Sequence, residues 1–248
     1  MSARKRLLHL TSFLAINIFY VLAATLPPST LPLGRLPEQD DTFALYNSTA
    51  VLTVNPQIES ILSFWFDPRY PHTRWFIIDP AFDAQIATNF GDLVTRARTT
   101  TFLDDWASSP QGCLALILLL DQFPRNIYRG SFQSYSSDAK ALSIARKAVE
   151  QRLDRSTTLI QQSFFYLPYM HDESLQSQDT SVSLFKDLSA RTEPGNPDKT
   201  YVDSGVDFAV RHQKVIEMFG RFPARNEALH RRSTPEETEF LRTHPWGY

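Results

Sequence analysis

Residues 109–120 read Ser109-Pro110-Gln111-Gly112-Cys113-Leu114-Ala115-Leu116-Ile117-Leu118-Leu119-Leu120, and from Cys113 to Leu120 every one is apolar. Such a run suits either a strand covered on both faces or a helix covered all round. Ser109-Pro110 decides between them. Serine is a favoured N-cap, and proline has the backbone angle of the first helical position and needs no N–H there. Ala and Leu also outnumber β-branched residues in the run, as a helix prefers. The stretch therefore predicts a central, wholly buried helix.

Helical signals continue on both sides of it. Asn55-Pro56 and Asp79-Pro80 repeat the cap-then-proline start. Behind the first, Ile58, Ile61, Leu62 and Trp65 mark one apolar face. Behind the second, Phe82, Ile86, Phe90, Leu93 and Ala97 recur at spacings of three and four. Ser136 or Ser137 is placed to cap a fourth helix, with Leu142, Ala145, Ala148 and Val149 inward. Gln161 to Tyr166 reads as a short apolar helix ended before Pro168. Leu175, Gln178, Val182, Phe185 and Leu188 give the next stripe. Arg191 to Lys199 is loop-like by its Pro and Gly. Phe208, His212, Val215, Ile216 and Phe219 form another face, and Thr234-Pro235-Glu236-Glu237 opens the last helix. No stretch alternates with period two for long enough to argue a sheet. The expected fold is all-α, an antiparallel helical bundle or array of about eight helices over residues 55–248. No strict 34-residue period marks a repeat array.

The chain has 248 residues, 42% hydrophobic and 21% charged, which allows a sizeable core. A net charge of −2 supplies no field toward nucleic acid. Its one cysteine, Cys113, excludes an intrachain disulfide and a multi-cysteine zinc site. Lying in an apolar run, it reads as a buried thiol. Arg4, Lys5 and Arg6 precede the apolar stretch Leu7 to Ala24, then Val21-Leu22-Ala23 and Pro27-Pro28 follow. Residues 1–24 thus read as a secretory signal peptide, with an uncleaved signal anchor as the alternative. Residues 25–54 read as a linker carrying the sequon Asn47-Ser48-Thr49. The body is accordingly expected in the secretory pathway, secreted or membrane-anchored with a lumenal body. Only the N-terminal segment is expected to touch a membrane.

Two short segments nearly repeat each other: Leu120-Asp121-Gln122-Phe123-Pro124-Arg125-Asn126-Ile127-Tyr128-Arg129-Gly130 and Phe219-Gly220-Arg221-Phe222-Pro223-Ala224-Arg225-Asn226. Each follows an apolar stretch and meets a proline expected to end a helix. Beyond it each presents Arg and Asn. Asp121, Arg125, Asn126, Arg129, Arg221, Arg225 and Asn226 are therefore candidates to bind a substrate. Two readings stay open. The guanidinium groups can pair with buried acids and lock the near-repeats together, or they can hold a carboxylate, phosphate or enolate.

His171 and Glu173, just past Leu167-Pro168, are the candidate catalytic pair: an imidazole poised near neutrality with a carboxylate to orient it. The alternative is that Glu173 merely begins the next helix and His171 packs beside it. His212 reads as a core histidine with one satisfied hydrogen bond. No His-x-x-x-His or Glu-x-x-His spacing calls for a metal. Trp65, Trp75, Trp106, Phe64, Phe66 and Phe76 fit a core or an apolar pocket. No nucleotide loop, dinucleotide fingerprint, nucleophile elbow or zinc-protease motif occurs, so no cofactor is expected.

The segments Trp65-Phe66, Trp75-Phe76, Asp79 to Asp83, Leu114 to Arg129, Phe164 to Glu173, Phe219 to Asn226 and Ser233 to Glu237 together resemble the DUF924 family, a domain of unknown function found in bacteria and fungi. The resemblance covers roughly Pro56 to Leu241. It implies an all-helical fold of the tetratricopeptide-like superfamily and brings no agreed activity. The chain departs from that pattern at Ala224, where histidine is common, at His230, where glycine is usual, and at His171-Asp172-Glu173, usually His-Ser-Glu. Read together, these features suggest an acid/base enzyme without a cofactor, of hydrolase, lyase or isomerase type, acting on a small organic metabolite. The alternative is a helical binding or scaffold module.

Overall fold

The structure is a computed structural model that describes residues 55–245. The signal or anchor segment 1–24, the linker 25–54 and the sequon at Asn47 lie outside the described residues. Helix α1 (Pro56–Trp65) starts where Asn55 Oδ1 accepts from the Gln57 N–H at 2.9 Å. Helix α2 (Pro80–Thr99) starts where the Asp79 carboxylate accepts from the N–H groups of Ala81 and Phe82. Helix α3 begins with Pro110–Ile117, capped by Ser109 Oγ. It runs on without a break through a π-helical turn, Leu118–Gln122, and an α-helical turn, Phe123–Ile127. Then follow α4 (Asp138–Glu150), α5 (Leu159–His171), α6 (Leu175–Arg191), α7 (Lys199–Phe219) and α8 (Pro235–Thr243). The described residues thus hold eight helices joined by short 3₁₀ turns, and no strand.

Helix α3 is the axis of the core. Leu114 to Leu120 have no measurable exposure, and the rod packs against α1, α2, α4 and α5. Its start is crowded enough to require glycine: a Cβ at Gly112 would lie 2.0 Å from the Trp106 carbonyl oxygen. Of the early aromatics, Trp65 and Trp75 are buried, Phe64, Phe66 and Trp106 pack against the core, and Phe76 is exposed. Trp65 stacks on Trp75 at 6.0 Å, Trp75 meets Phe164 edge-on at 5.0 Å, and Trp75 Nε1 donates to the Trp65 carbonyl at 2.8 Å. Cys113 is buried and gives its Sγ–H to the Ala107 carbonyl, and burial pushes its thiol up to about 11. Helices α6 and α7 run antiparallel: Gln213 reaches Asp179 while Ser189 reaches Asp203. Phe185 lies against Gly205, where any side chain would meet its ring at 2.7 Å.

Three helix ends differ from expectation, all near proline. Pro124 does not stop α3. The Phe123 N–H bonds to the Leu118 carbonyl five residues back, and this one-residue widening carries the helix past proline. Pro168 does not stop a helix either; α5 begins earlier, at Leu159 behind a Thr158 capping box, and passes through Pro168 to His171. In the second near-repeat the helix has already ended at Phe219. The stop is Gly220, left-handed at φ 65°, three residues before Pro223. The two segments therefore share residues but not backbone.

Candidate functional site

The π turn is what aims Asp121. Proline at 124 has no N–H for the Leu120 carbonyl four residues back, so that carbonyl needs another donor. Ser137 Oγ supplies it at 2.6 Å, in a buried position. Ser137 stands before α4 as an N-cap by position, but its hydroxyl bonds across to α3 instead of to its own helix. The Asp121 carbonyl is likewise taken by the Arg125 guanidinium.

Asp121 is fully buried, and its carboxylate meets three partners. His171 Nδ1 lies 2.7 Å from Oδ1, Gln122 Nε2 lies 2.5 Å from Oδ2, and Arg125 lies 3.2 Å from Oδ1. Burial alone would raise this acid, but Arg125 and His171 more than offset it and hold it well below the usual carboxylate range. An ionised carboxylate can only accept, so His171 Nδ1 carries the proton of that bond. Nε2 is left as the basic nitrogen, without a hydrogen-bond partner among the described residues. Burial, then Arg125, push His171 below the ordinary imidazole value, so the ring is neutral at pH 7. Its place at the end of α5 is fixed by Gln178, a buried side chain of α6 whose Nε2 donates to the carbonyls of Met170 at 2.8 Å and Asp172 at 2.6 Å.

The two near-repeats meet on Asp138, the first residue of α4. Arg125 binds its carboxylate with both arms, at 3.1 and 2.9 Å, and Arg225 approaches it to 3.6 Å. Burial raises the Asp138 acid despite these cations. Arg225 lies over the rings of Phe222, at 4.4 Å, and Tyr135, at 4.9 Å. Its guanidinium makes no hydrogen bond among the described residues. Burial first, and Arg125 next, weaken its hold on its proton.

Glu173 is not the partner of His171. Arg231 binds it with both arms at 2.6 and 3.0 Å, and the Phe222 N–H donates to it at 2.8 Å. These bonds outweigh the effect of burial and lower its acid. Arg129 and Asn126 both hold Asp83 of α2. Arg221 holds Glu237 of α8, with Asn226 donating to the same carboxylate at 3.1 Å. Those four residues are staples between helices. His212 donates Nδ1–H to the Phe208 carbonyl at 2.8 Å, and its ring centre lies 6.4 Å from that of His171. Burial, with His171 next, lowers it to about 4.

A pocket of about 340 Å³ opens over this group. His171, Glu173 and Arg225 line it with Asp138, Asp172, Tyr135, Phe132 and Leu229. Asp121 and Arg125 lie behind that wall. A larger open hollow of about 510 Å³ beside α1 is lined by Leu62, Phe66, Asp67 and Arg69, and there Asp67 is already clamped by Arg69. Among the described residues no cluster of His, Cys, Asp and Glu could hold a metal ion, and no helix is long and apolar enough to cross a membrane.

A family model described as a bacterial protein of unknown function, DUF924, matches residues 61–244. The chain belongs to the DUF924 family. A solved DUF-type structure, a protein of unknown function ATU0120 from Agrobacterium tumefaciens, is similar to it with a TM-score of 0.67 and 34% identity, over 76% of this chain and 98% of that one. No curated protein sequence matches the chain. The departures from the DUF924 pattern now have places. Ala224 is exposed and does not line the pocket. His230 has φ 53°, a left-handed conformation that glycine adopts without strain. Asp138, Arg231 and Gln178 are the residues of this site that motif reading passed over. Asp138 and Arg231 lie outside both near-repeats, and Gln178 looked like one more residue of an apolar stripe. A buried amide in that stripe was the available signal.

Proposed function

We propose that this DUF924 chain is an acid/base enzyme, of hydrolase, lyase or isomerase type, acting on a small organic anion. The observation that carries the reading is the 2.7 Å bond from His171 Nδ1 to the buried Asp121 carboxylate, at the wall of a pocket that also contains Arg225. A carboxylate behind Nδ1 fixes the tautomer and steadies the imidazolium formed when Nε2 takes a proton. The proton passes from substrate, or from a water it activates, to Nε2. Arg225 then faces the negative charge left behind. The pairing assigned by this reading is His171 with Asp121, and Glu173 keeps Arg231 and the Phe222 backbone in place.

The test is depletion of metabolites. Purified protein is incubated with a small-molecule extract, and the mixture is followed by mass spectrometry. Wild type should consume an anionic metabolite. His171→Ala should slow that by about 10²–10⁴-fold, the usual worth of a positioned base. Asp121→Asn, which leaves the tautomer unfixed, should also slow it. Equal depletion by a folded His171→Ala variant rejects the proposal.

A further inference from the structure

We infer that the pocket receives a monocarboxylate with an apolar body, its carboxylate in the fork of Arg225 and its apolar part against Phe132 and Leu229. The inference takes only the place of the site from the acid/base reading and adds the class of ligand.

The first observation is the state of Arg225. A guanidinium carries five N–H donors in a planar fork shaped for a carboxylate. Arg125, Arg129, Arg221 and Arg231 each spend theirs on an acid with hydrogen bonds. Arg225 makes none among the described residues and has only the 3.6 Å approach to Asp138, whose carboxylate both arms of Arg125 already occupy. The Tyr135 and Phe222 rings lie against its guanidinium carbon, at 4.9 and 4.4 Å, and take none of its N–H groups in a hydrogen bond.

The second is the charge left on the pocket wall. Arg125 is shared by two acids, Asp121 and Asp138, and Glu173 is paired with Arg231. Arg225 is the pocket-wall cation whose guanidinium makes no hydrogen bond among the described residues, and Asp172 on the same wall has no hydrogen bond or ion pair on its carboxylate among them. One negative charge on a ligand matches Arg225. A second would sit near Asp172 without compensation. A singly charged carboxylate therefore suits the site better than a phosphate or a dicarboxylate.

The third is the apolar side. Phe132 is 52% exposed at the pocket and has no aromatic partner among the described residues, and Leu229 lies on the same wall. This is open hydrocarbon beside a cation, and about 340 Å³ is near the lower end of small-ligand sites.

The experiment is calorimetric titration of the full chain with phenylacetate, 3-phenylpropionate and hexanoate, against 2-phenylethanol and phenyl phosphate. Saturable binding of the carboxylates is expected, tighter than of the alcohol or the phosphate. Arg225→Gln should weaken carboxylate binding about tenfold or more and leave the alcohol unaffected. Phe132→Ala should weaken the aromatic acids. No saturable binding of any of the three carboxylates to wild type overturns the inference. So does equal affinity in a folded Arg225→Gln variant, or tighter binding of phenyl phosphate. Should Arg225→Gln fail to fold, the preference of wild type for phenylacetate over 2-phenylethanol and phenyl phosphate decides alone. His171→Ala should still bind phenylacetate. Unslowed metabolite depletion by that variant would therefore sink the acid/base reading while leaving the ligand class standing.

Discussion

Replacing Asp138 by Asn removes the charge on which the two near-repeats meet. The carboxylate receives two charge-assisted hydrogen bonds from Arg125, at 3.1 and 2.9 Å, and the 3.6 Å approach of Arg225. The amide keeps one acceptor oxygen, so about one charge-assisted bond is lost, worth roughly 1.5–3 kcal/mol. Arg125 then keeps Asp121 as its remaining acid. A fully buried pair broken on one side costs roughly 3–5 kcal/mol, but the Arg125 and Asp138 side chains here are 20% and 19% exposed, so water recovers part of it. We expect a loss of about 2–3 kcal/mol, which lowers Tm by about 5–10 °C in a domain of this size. The assay is thermal and urea unfolding beside Glu239→Gln, which breaks a pair whose side chains are 69% and 66% exposed. That control should melt close to wild type, since water and salt screen so exposed a pair. Asp138→Asn also removes the acid that approaches Arg225 at 3.6 Å, so phenylacetate should bind tighter even as the fold weakens. A variant no less stable than Glu239→Gln, with unchanged affinity, would show that Asp138 is not the hub of these arginines.

Ser137→Ala should cost about 1–3 kcal/mol, because the Leu120 carbonyl loses the donor that replaces proline's missing N–H; urea unfolding at neutral pH reads it. Gly112→Ala should destabilise by roughly 1–3 kcal/mol or more, since its methyl would meet the Trp106 carbonyl at 2.0 Å, and calorimetric melting measures the loss. Stability should depend on pH through His212. Its folded value of about 4 lies below the ordinary 6.5, so the unfolded chain binds the proton first. Its contribution is full above pH 6.5 and is lost as pH falls from there through about 4. The urea midpoint should drop across that window, and a folded His212→Gln variant should flatten the drop. In the same window the His212 ring resonances should still report the neutral form near pH 5.

Much of the helix inventory was readable because its signals are local. Asn55-Pro56, Asp79-Pro80, Ser109-Pro110 and Thr234-Pro235 each place a capping oxygen before a residue that needs no N–H, and each starts a helix. The apolar run at 113–120 is buried all round, as its lack of a polar face requires. The helix ends near Pro124 and Pro168 are not legible in the sequence, for a physical reason. Proline forbids one hydrogen bond, but whether the helix stops depends on what else can satisfy the carbonyl it abandons. For Pro124 the answer lies in Ser137, thirteen residues away.

The candidate site divides along the same line. The amino-acid sequence determined that arginines, asparagines, a histidine and acids would gather at the ends of apolar helices, because caps, prolines and apolar spacing act over a few residues. It did not determine the pairing. His171 could face Glu173 or Asp121, and Arg225 could be stapled or open. Tertiary structure decided that Asp121 takes the imidazole, that Arg231 takes Glu173, and that the Arg225 guanidinium makes no hydrogen bond among the described residues. Charged side chains pair with whichever opposite charge the packing of distant helices brings within about 3 Å, and sequence separation carries no record of that distance.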